Sequence, residues 1–270
     1  MGRNARIEEA EITASITRLQ AYLRHSARQL YETVSVPPFT LFFHPTDALT
    51  YFNYAIPDEP PSDDLEAPLA ALRSEFATRG RLSRFEFIEE YAPQLAPALR
   101  AAGFAKEARQ AMMVCTAATY SPAPDVPGLT ISELTGASAP GEVRTFLTCQ
   151  RRGFDRHDAG ATEAGVEHFL RTVGAGRAFV AWLEGQPVGA GVYTAPFDGV
   201  TEVAGLATLE PFRRRGIATA LTALAVRRAL EQGVEVVCLT AADERAGRVY
   251  ERVGFVRCAT MLAYSQGEQA

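Results

Sequence analysis

The stretch 201–240, TEVAGLATLEPFRRRGIATALTALAVRRALEQGVEVVCLT, constrains the fold of this chain more than any other. Residues 201–209 read as a long strand, and 210–215 as a turn carrying Arg213, Arg214 and Arg215. Ile217, Leu221 and Leu224 then mark one face of a helix over 216–233, which Gly233 closes. Residues 234–240, VEVVCLT, form a nearly unbroken apolar run, the pattern of a strand buried on both faces. Such a chain is an α/β protein with helices flanking a mixed central sheet.

The other segments fit this class. Residues 6–31 carry apolar side chains at helical spacing, and 39–56 read as two strands around a His-Pro-Thr-Asp turn. The acidic, proline-rich loop 57–64 leads into a helix over 65–78 that its last aspartates are placed to cap. A strand over 84–90, a helix over 93–103 and a strand over 107–116 follow. YSPAPDVPG, 120–128, is the best linker and divides the chain into domains 1–122 and 127–270. The second domain reads as a strand (129–134), helices (138–150 and 162–174), a hairpin over 177–195 turning at 184–186, the stretch above, a helix over 243–253 and a strand over 255–265. APALRAAGF in the first half and AGRVYERVGF in the second both run helix, glycine, phenylalanine, strand, a weak internal echo.

Composition narrows the function. With 47% hydrophobic and 22% charged residues, the chain has the balance of a soluble globular protein. The net charge of −5 argues against nucleic acid as a partner, so the arginine run needs a local explanation. The four cysteines form no CxxC pair and the four histidines no metal-ligand spacing, so no metal is expected, and Cys115 and Cys238 read as small buried hydrophobes. No apolar run approaches the length of a membrane span, and the charged N-terminus lacks the apolar core of a secretory signal. A reducing cytoplasm suits these features.

The arginine turn lies at a helix N-terminus, where backbone N–H groups lack helical partners and the helix dipole favours an anion. Gly216 allows close approach of a ligand, and Ala218 and Thr219 keep the first turn open. The residues thus suit a diphosphate cradle, although an ordinary strand-to-helix turn with solvated arginines would read the same way. Neither GxxxxGK with Ser or Thr nor GxGxxG occurs there.

Arg213-Arg214-Arg215-Gly216-Ile217-Ala218 resembles the Arg/Gln-x-x-Gly-x-Gly/Ala motif of the GNAT family of N-acetyltransferases, and GLATLEPF before it resembles that family's fourth strand. DERAGRVYERVGF, 243–255, is similar to the family's Asn-x-x-Ala-x-x-Leu-Tyr-Glu-x-x-Gly-Phe element, with fitting spacing between the two. The resemblance covers about 129–265. It implies a GNAT fold, and LRAAGF in the first half then resembles the closing element of a second, degenerate unit with no arginine-glycine turn. It also implies acetyl-CoA as cosubstrate, its pantetheine along Leu206, Ala207 and Thr208, and its diphosphate on the backbone of Arg214, Arg215, Gly216, Ile217, Ala218 and Thr219. Arg213 matches the motif's first basic position and either braces the loop or meets phosphate. Tyr250 matches the family's general acid. Glu202, on the strand, is a candidate base beside a water chain. Asp243 stands where the family has asparagine: it suits a helix cap, and its contact to pantetheine is in doubt.

The implied activity is acetyl transfer from acetyl-CoA to a primary amine of a small molecule or a protein, by direct attack in a ternary complex. A non-catalytic acyl-CoA-binding or sensing module is the alternative. The residues leave the acceptor open, and both monomer and homodimer.

Overall fold

A computed structural model describes residues 3–45, 47–61 and 64–266. In chain order the elements are α1 (Arg3–Leu30), β1 (Glu32–Val36), β2 (Phe39–Phe43), β3 (Asn53–Pro57), α2 (Glu66–Thr78), β4 (Arg84–Ile88), α3 (Leu95–Ala101) and β5 (Phe104–Cys115). There follow β6 (Leu129–Leu134), α4 (Pro140–Phe154), α5 (Glu163–Thr172), β7 (Arg177–Leu183), β8 (Gln186–Tyr193), β9 (Val200–Thr208), α6 (Ile217–Glu231), β10 (Val236–Ala241), α7 (Glu244–Glu251) and β11 (Val256–Gln266). They form two compact units, Met1–Met112 with Cys258–Ala270, and Met113–Arg257. The division falls inside β5, upstream of the proline-rich stretch 120–128. Most of β11, read from sequence as the end of the second domain, lies in the first unit.

In the first unit the strand order is β1-β2-β3-β4-β11-β5. β11 runs antiparallel to β4, from Met261 opposite Ile88 to Ser265 opposite Arg84. The core gathers the apolar faces of α2 and α3 against the sheet, with Leu72, Phe76, Phe85, Phe87, Leu95 and Leu99 fully buried. β1, a hairpin partner of β2, is missing from the sequence reading. It is five residues long and none is buried, so the half-buried Val34 and Val36 on the core face are its whole apolar signal. The aspartate cap is also corrected. Leu65 occupies the N-cap of α2 without a side-chain bond, and Asp64 takes only the Glu66 N–H, at 3.4 Å. Asp63 lies outside the described residues.

β3 and β4 are parallel and register at a single pair, Ala55 with Phe85. Beyond it the strands part, and α1 fills the opening. The fully buried Gln20 donates from Nε2 to the Pro57 carbonyl at 3.4 Å and accepts the Ile88 N–H on Oε1 at 3.3 Å. Arg24 and Arg28 follow on the same helical face. Both pair with the Asp58 carboxylate, at 3.8 and 3.7 Å, and Thr40 donates to it at 2.8 Å.

In the second unit the order is β10-β9-β8-β7-β6. β9 and β10 are parallel, while β6 to β9 form an antiparallel meander. α4 and α5 cover one face, where Val143, Phe146, Cys149 and Val166 meet Ala178, Val180 and Ala190. α6 covers the other face: a Cβ on Gly189 would stand 3.0 Å from Ile217 Cγ2. Gly189 and Ala190 are successive strand residues, so the two layers lie on opposite sides. Cys115 and Cys238 are buried, as their sequence context implies. At the end of α7, Gly254 sits at φ +97° under the Thr119 carbonyl, which a Cβ would approach to 1.9 Å. This is the glycine of the VGF element, and no larger residue fits there.

Candidate active site

The site is built where β9 leaves β10. Their register runs from Val200 opposite Val236 only to Glu202 opposite Cys238. Beyond that point β9 bulges: its register with β8 shifts between Ala190 and Val192, opposite Gly205 and Leu206. Gly205 takes φ +58°, which glycine alone adopts without strain. Its carbonyl accepts from Gln150 Nε2 on α4 at 3.0 Å.

The bulge changes which way the strand faces. Ala204 pairs with Val192, and after it Ala207 pairs with Ala190, so both look toward α4. Leu206, expected on the face of Glu202 and Ala204 unless a bulge intervenes, crosses over instead. Its side chain covers Gly191, where a Cβ would meet Leu206 Cδ2 at 2.5 Å. Glu202 stays on the face of Ala204, beside α4 and α5. The Leu209 N–H donates to Val188 on β8 at 2.9 Å. By alternation Thr208 turns its backbone groups to the other edge, into the opening toward β10.

β9 ends at the arginine turn. Arg213 folds back, donating from Nε to the Thr208 carbonyl at 3.1 Å and from Nη2 to the Gly153 carbonyl at 2.9 Å. These two bonds tie the turn to β9 and α4. Arg214 is exposed at φ +65°, and Arg215 lies over the Phe212 ring at 5.5 Å. Gly216 takes φ +83° and the first helical bond runs from the Ala220 N–H to its carbonyl, at 3.0 Å. The N–H groups of Ile217, Ala218 and Thr219 therefore precede any helical acceptor and form the positive end of α6. The side chains of Ile217 and Thr219 point into the core, at 1% and 8% exposure, which leaves their backbone as the ligand-facing part.

Two observations fit this corner to a CoA-like group. Strand edges open into a gap directly before an anion-attracting turn. In addition, Thr208 Oγ1, beside the turn, is buried with no hydrogen-bond partner among the described residues. A buried hydroxyl without a partner is costly unless a ligand or water completes it. Among the described residues no three His, Cys, Asp or Glu side chains converge.

Asp243 caps α7, accepting the Ala246 N–H at 2.7 Å, as the sequence suggests. Tyr250, two turns along that helix, packs its ring 6.1 Å from Phe255. Burial raises its pKa above the usual tyrosine value, and the Asp243 charge adds to the rise. The phenol is therefore held protonated through neutral and mildly alkaline pH. Sequence reasoning missed Gly153, where a Cβ would overlap that of Ala207 at 2.5 Å, and the clamp from Gln150. Glycine in a helix followed by small residues in a strand is the signal for the first. The second had none.

The parallel strands β9 and β10 thus part directly before the N-terminus of α6. Residues 143–255 match the model of the acetyltransferase (GNAT) family. Among solved structures it resembles a GCN5-related N-acetyltransferase from Kribbella flavida, with 25% identity, 93% of this chain and 95% of that one covered, and a TM-score of 0.76. It shares its fold with a tandem GNAT protein from the clavulanic acid biosynthesis pathway, at 13% identity, covering 86% of this chain and 79% of that one, with a TM-score of 0.62. It shares it also with a GCN5-related N-acetyltransferase from Sphaerobacter thermophilus, at 16% identity, 84% and 76% coverage and a TM-score of 0.58. No curated protein matches. Among the described residues no helix is long and apolar enough to cross a membrane.

Proposed function

We propose that the second unit binds acetyl-CoA and transfers its acetyl group to a primary amine, of a small molecule or a protein, by direct attack in a ternary complex. The observation carrying this reading is the opening of β9 from β10 directly before the Arg213–Gly216 turn. Pantetheine amides would pair with the backbone of Leu206 and Thr208 as an added strand does. The diphosphate would sit on the N–H groups at the start of α6, with Arg214 and Arg215 supplying charge. Developing charge on the thioester oxygen would meet an N–H at the bulge. The leaving thiolate would take its proton from Tyr250, whose raised pKa keeps that proton available. Glu202 lies on the α4 face of β9 and serves as base, directly or through water. Asp243 holds α7, and its carboxylate is engaged in that cap.

Thermal unfolding with and without acetyl-CoA tests the reading. At 100 times its dissociation constant the ligand stabilises by about 2.7 kcal/mol, or roughly 5–10 °C for a unit of this size. The Gly216→Glu variant should show no shift. A wild-type protein that does not respond would remove acetyl-CoA as ligand. A response without turnover on a panel of amines would favour the binding module instead.

A further inference from the structure

We infer that Gln150 is a positioning residue of the acetyl transfer, holding the β9 bulge so that the Leu206 N–H is aimed at the thioester oxygen. The inference rests on the acetyl-CoA reading above.

The Gly205 carbonyl and the Leu206 N–H belong to one planar trans peptide and point in opposite directions. A bond that fixes the carbonyl therefore fixes the N–H. Gln150 Nε2 makes that bond, at 3.0 Å. It reaches the carbonyl from α4, so the N–H of the same peptide is turned away from α4, to the other side of β9. The Gln150 side chain also lies hard against the strand here. A Cβ on Gly205 would meet its Nε2 at 2.0 Å. The same glycine is held at φ +58°, where the backbone has little preference of its own to keep this peptide in one orientation. The neighbouring helix end is fixed separately, by Arg213 Nη2 on the Gly153 carbonyl at 2.9 Å and by the close approach of Gly153 to Ala207. The α4 backbone beside Gln150 is thereby anchored independently of the amide itself. Preorganised donors act because they need no reorientation as charge develops. A bulge peptide free to rotate would lose that advantage while the cradle at α6 stayed intact.

Carbonyl polarisation in bound acetyl-CoA reads this role without knowing the acceptor. Acetyl-CoA labelled with carbon-13 at its carbonyl is bound to wild type, to Gln150→Met, which keeps the length and removes the donor, and to Gln150→Glu, which keeps the shape and offers no donor when ionised. In wild type the carbonyl stretch should move to lower frequency than in free acetyl-CoA. In both variants most of that shift should vanish, with the dissociation constant of acetyl-CoA little changed and the unfolding temperature lowered by only a few degrees, as loss of one hydrogen bond would give. Transfer to any amine the wild type accepts should fall by about 10–100-fold in kcat with little change in KM. A wild type that binds without a shift, or variants that keep the full shift, would overturn the role of Gln150 and leave the acetyl-CoA reading standing. Failure of the wild type to bind acetyl-CoA would overturn both. If one variant does not fold, the other decides.

Discussion

Arg213 and Arg214 are adjacent and identical in charge, yet the structure assigns them different work, and replacing each by alanine should separate the two. Arg213 makes two charge-assisted bonds to backbone carbonyls, at 3.1 and 2.9 Å. One of these carbonyls, on Gly153, is in the last turn of α4, where no helical donor remains for it. Buried bonds of this type contribute up to about 3 kcal/mol each, but this guanidinium lies at the surface and water competes, so about 1 kcal/mol each is the fitting scale. Arg213→Ala should then cost about 2 kcal/mol, lowering the unfolding temperature by roughly 4–8 °C, and it should weaken acetyl-CoA binding through loss of the loop's shape. Arg214→Ala keeps a non-glycine residue at the same positive φ and should leave stability within about 0.5 kcal/mol, while weakening binding through lost charge. The chain's one tryptophan, Trp182 on β7, lies in the second unit and reports its unfolding by fluorescence in denaturant. Equal midpoints for wild type and Arg213→Ala, or equal losses in the two variants, would refute the division of labour.

Tyr250→Phe should lower kcat by about 10–100-fold and leave acetyl-CoA affinity nearly unchanged. Because the protonated phenol is the working form and its pKa is raised, wild-type activity should persist through pH 8 and fall only above about 10. That alkaline limb should disappear in the variant, and an unaltered limb would take the proton donation away from Tyr250. Gln20→Ala should strand the Ile88 N–H and leave the Pro57 carbonyl to Arg24 Nη1 alone, destabilising the first unit by about 1–2 kcal/mol. Titration should still give one acetyl-CoA per chain in wild type and variant, since Arg24 and Arg28 at that opening are already engaged by Asp58. A second bound equivalent in the variant would contradict this account of the first unit.

The second unit was legible because its signals are local. The 201–240 stretch announces strand, turn, helix and strand through periodicity, and Gly216, Gly233 and Gly254 sit where positive φ is needed. The family motifs coincide with these signals. The first unit was less legible. Its β1 offers only two half-buried valines in five residues, and the bonds of Gln20 to Pro57 and Ile88 span 37 and 68 residues, which no local pattern encodes. The site divides the same way. Bulge and cradle follow from a short stretch of β9 and α6, whereas the clamp from Gln150 spans 55 residues and exists only once α4 has packed. A helix read over 138–150 in fact extends to Phe154, bringing Gly153 into the site. The closing strand misled most, since the VGF element that opens it belongs to the second unit and its pairing to the first.

That closing strand bears on how the chain is made. Residues 261–265 complete the sheet of the first unit, yet they leave the ribosome about 150 residues after Met112, the last residue of that unit's leading part. At about 5–20 residues per second this is a wait of roughly 8–30 s. During it the β4 edge that will pair with β11 has no partner from its own unit. The second unit, Met113–Arg257, is a single continuous span and is synthesised whole before the first can close. Completion of the first unit's sheet is thus expected to follow synthesis of the second, against the usual N-terminal-first order. The waiting β4 edge is then the place where a nascent chain of this kind is most open to mispairing or to a chaperone.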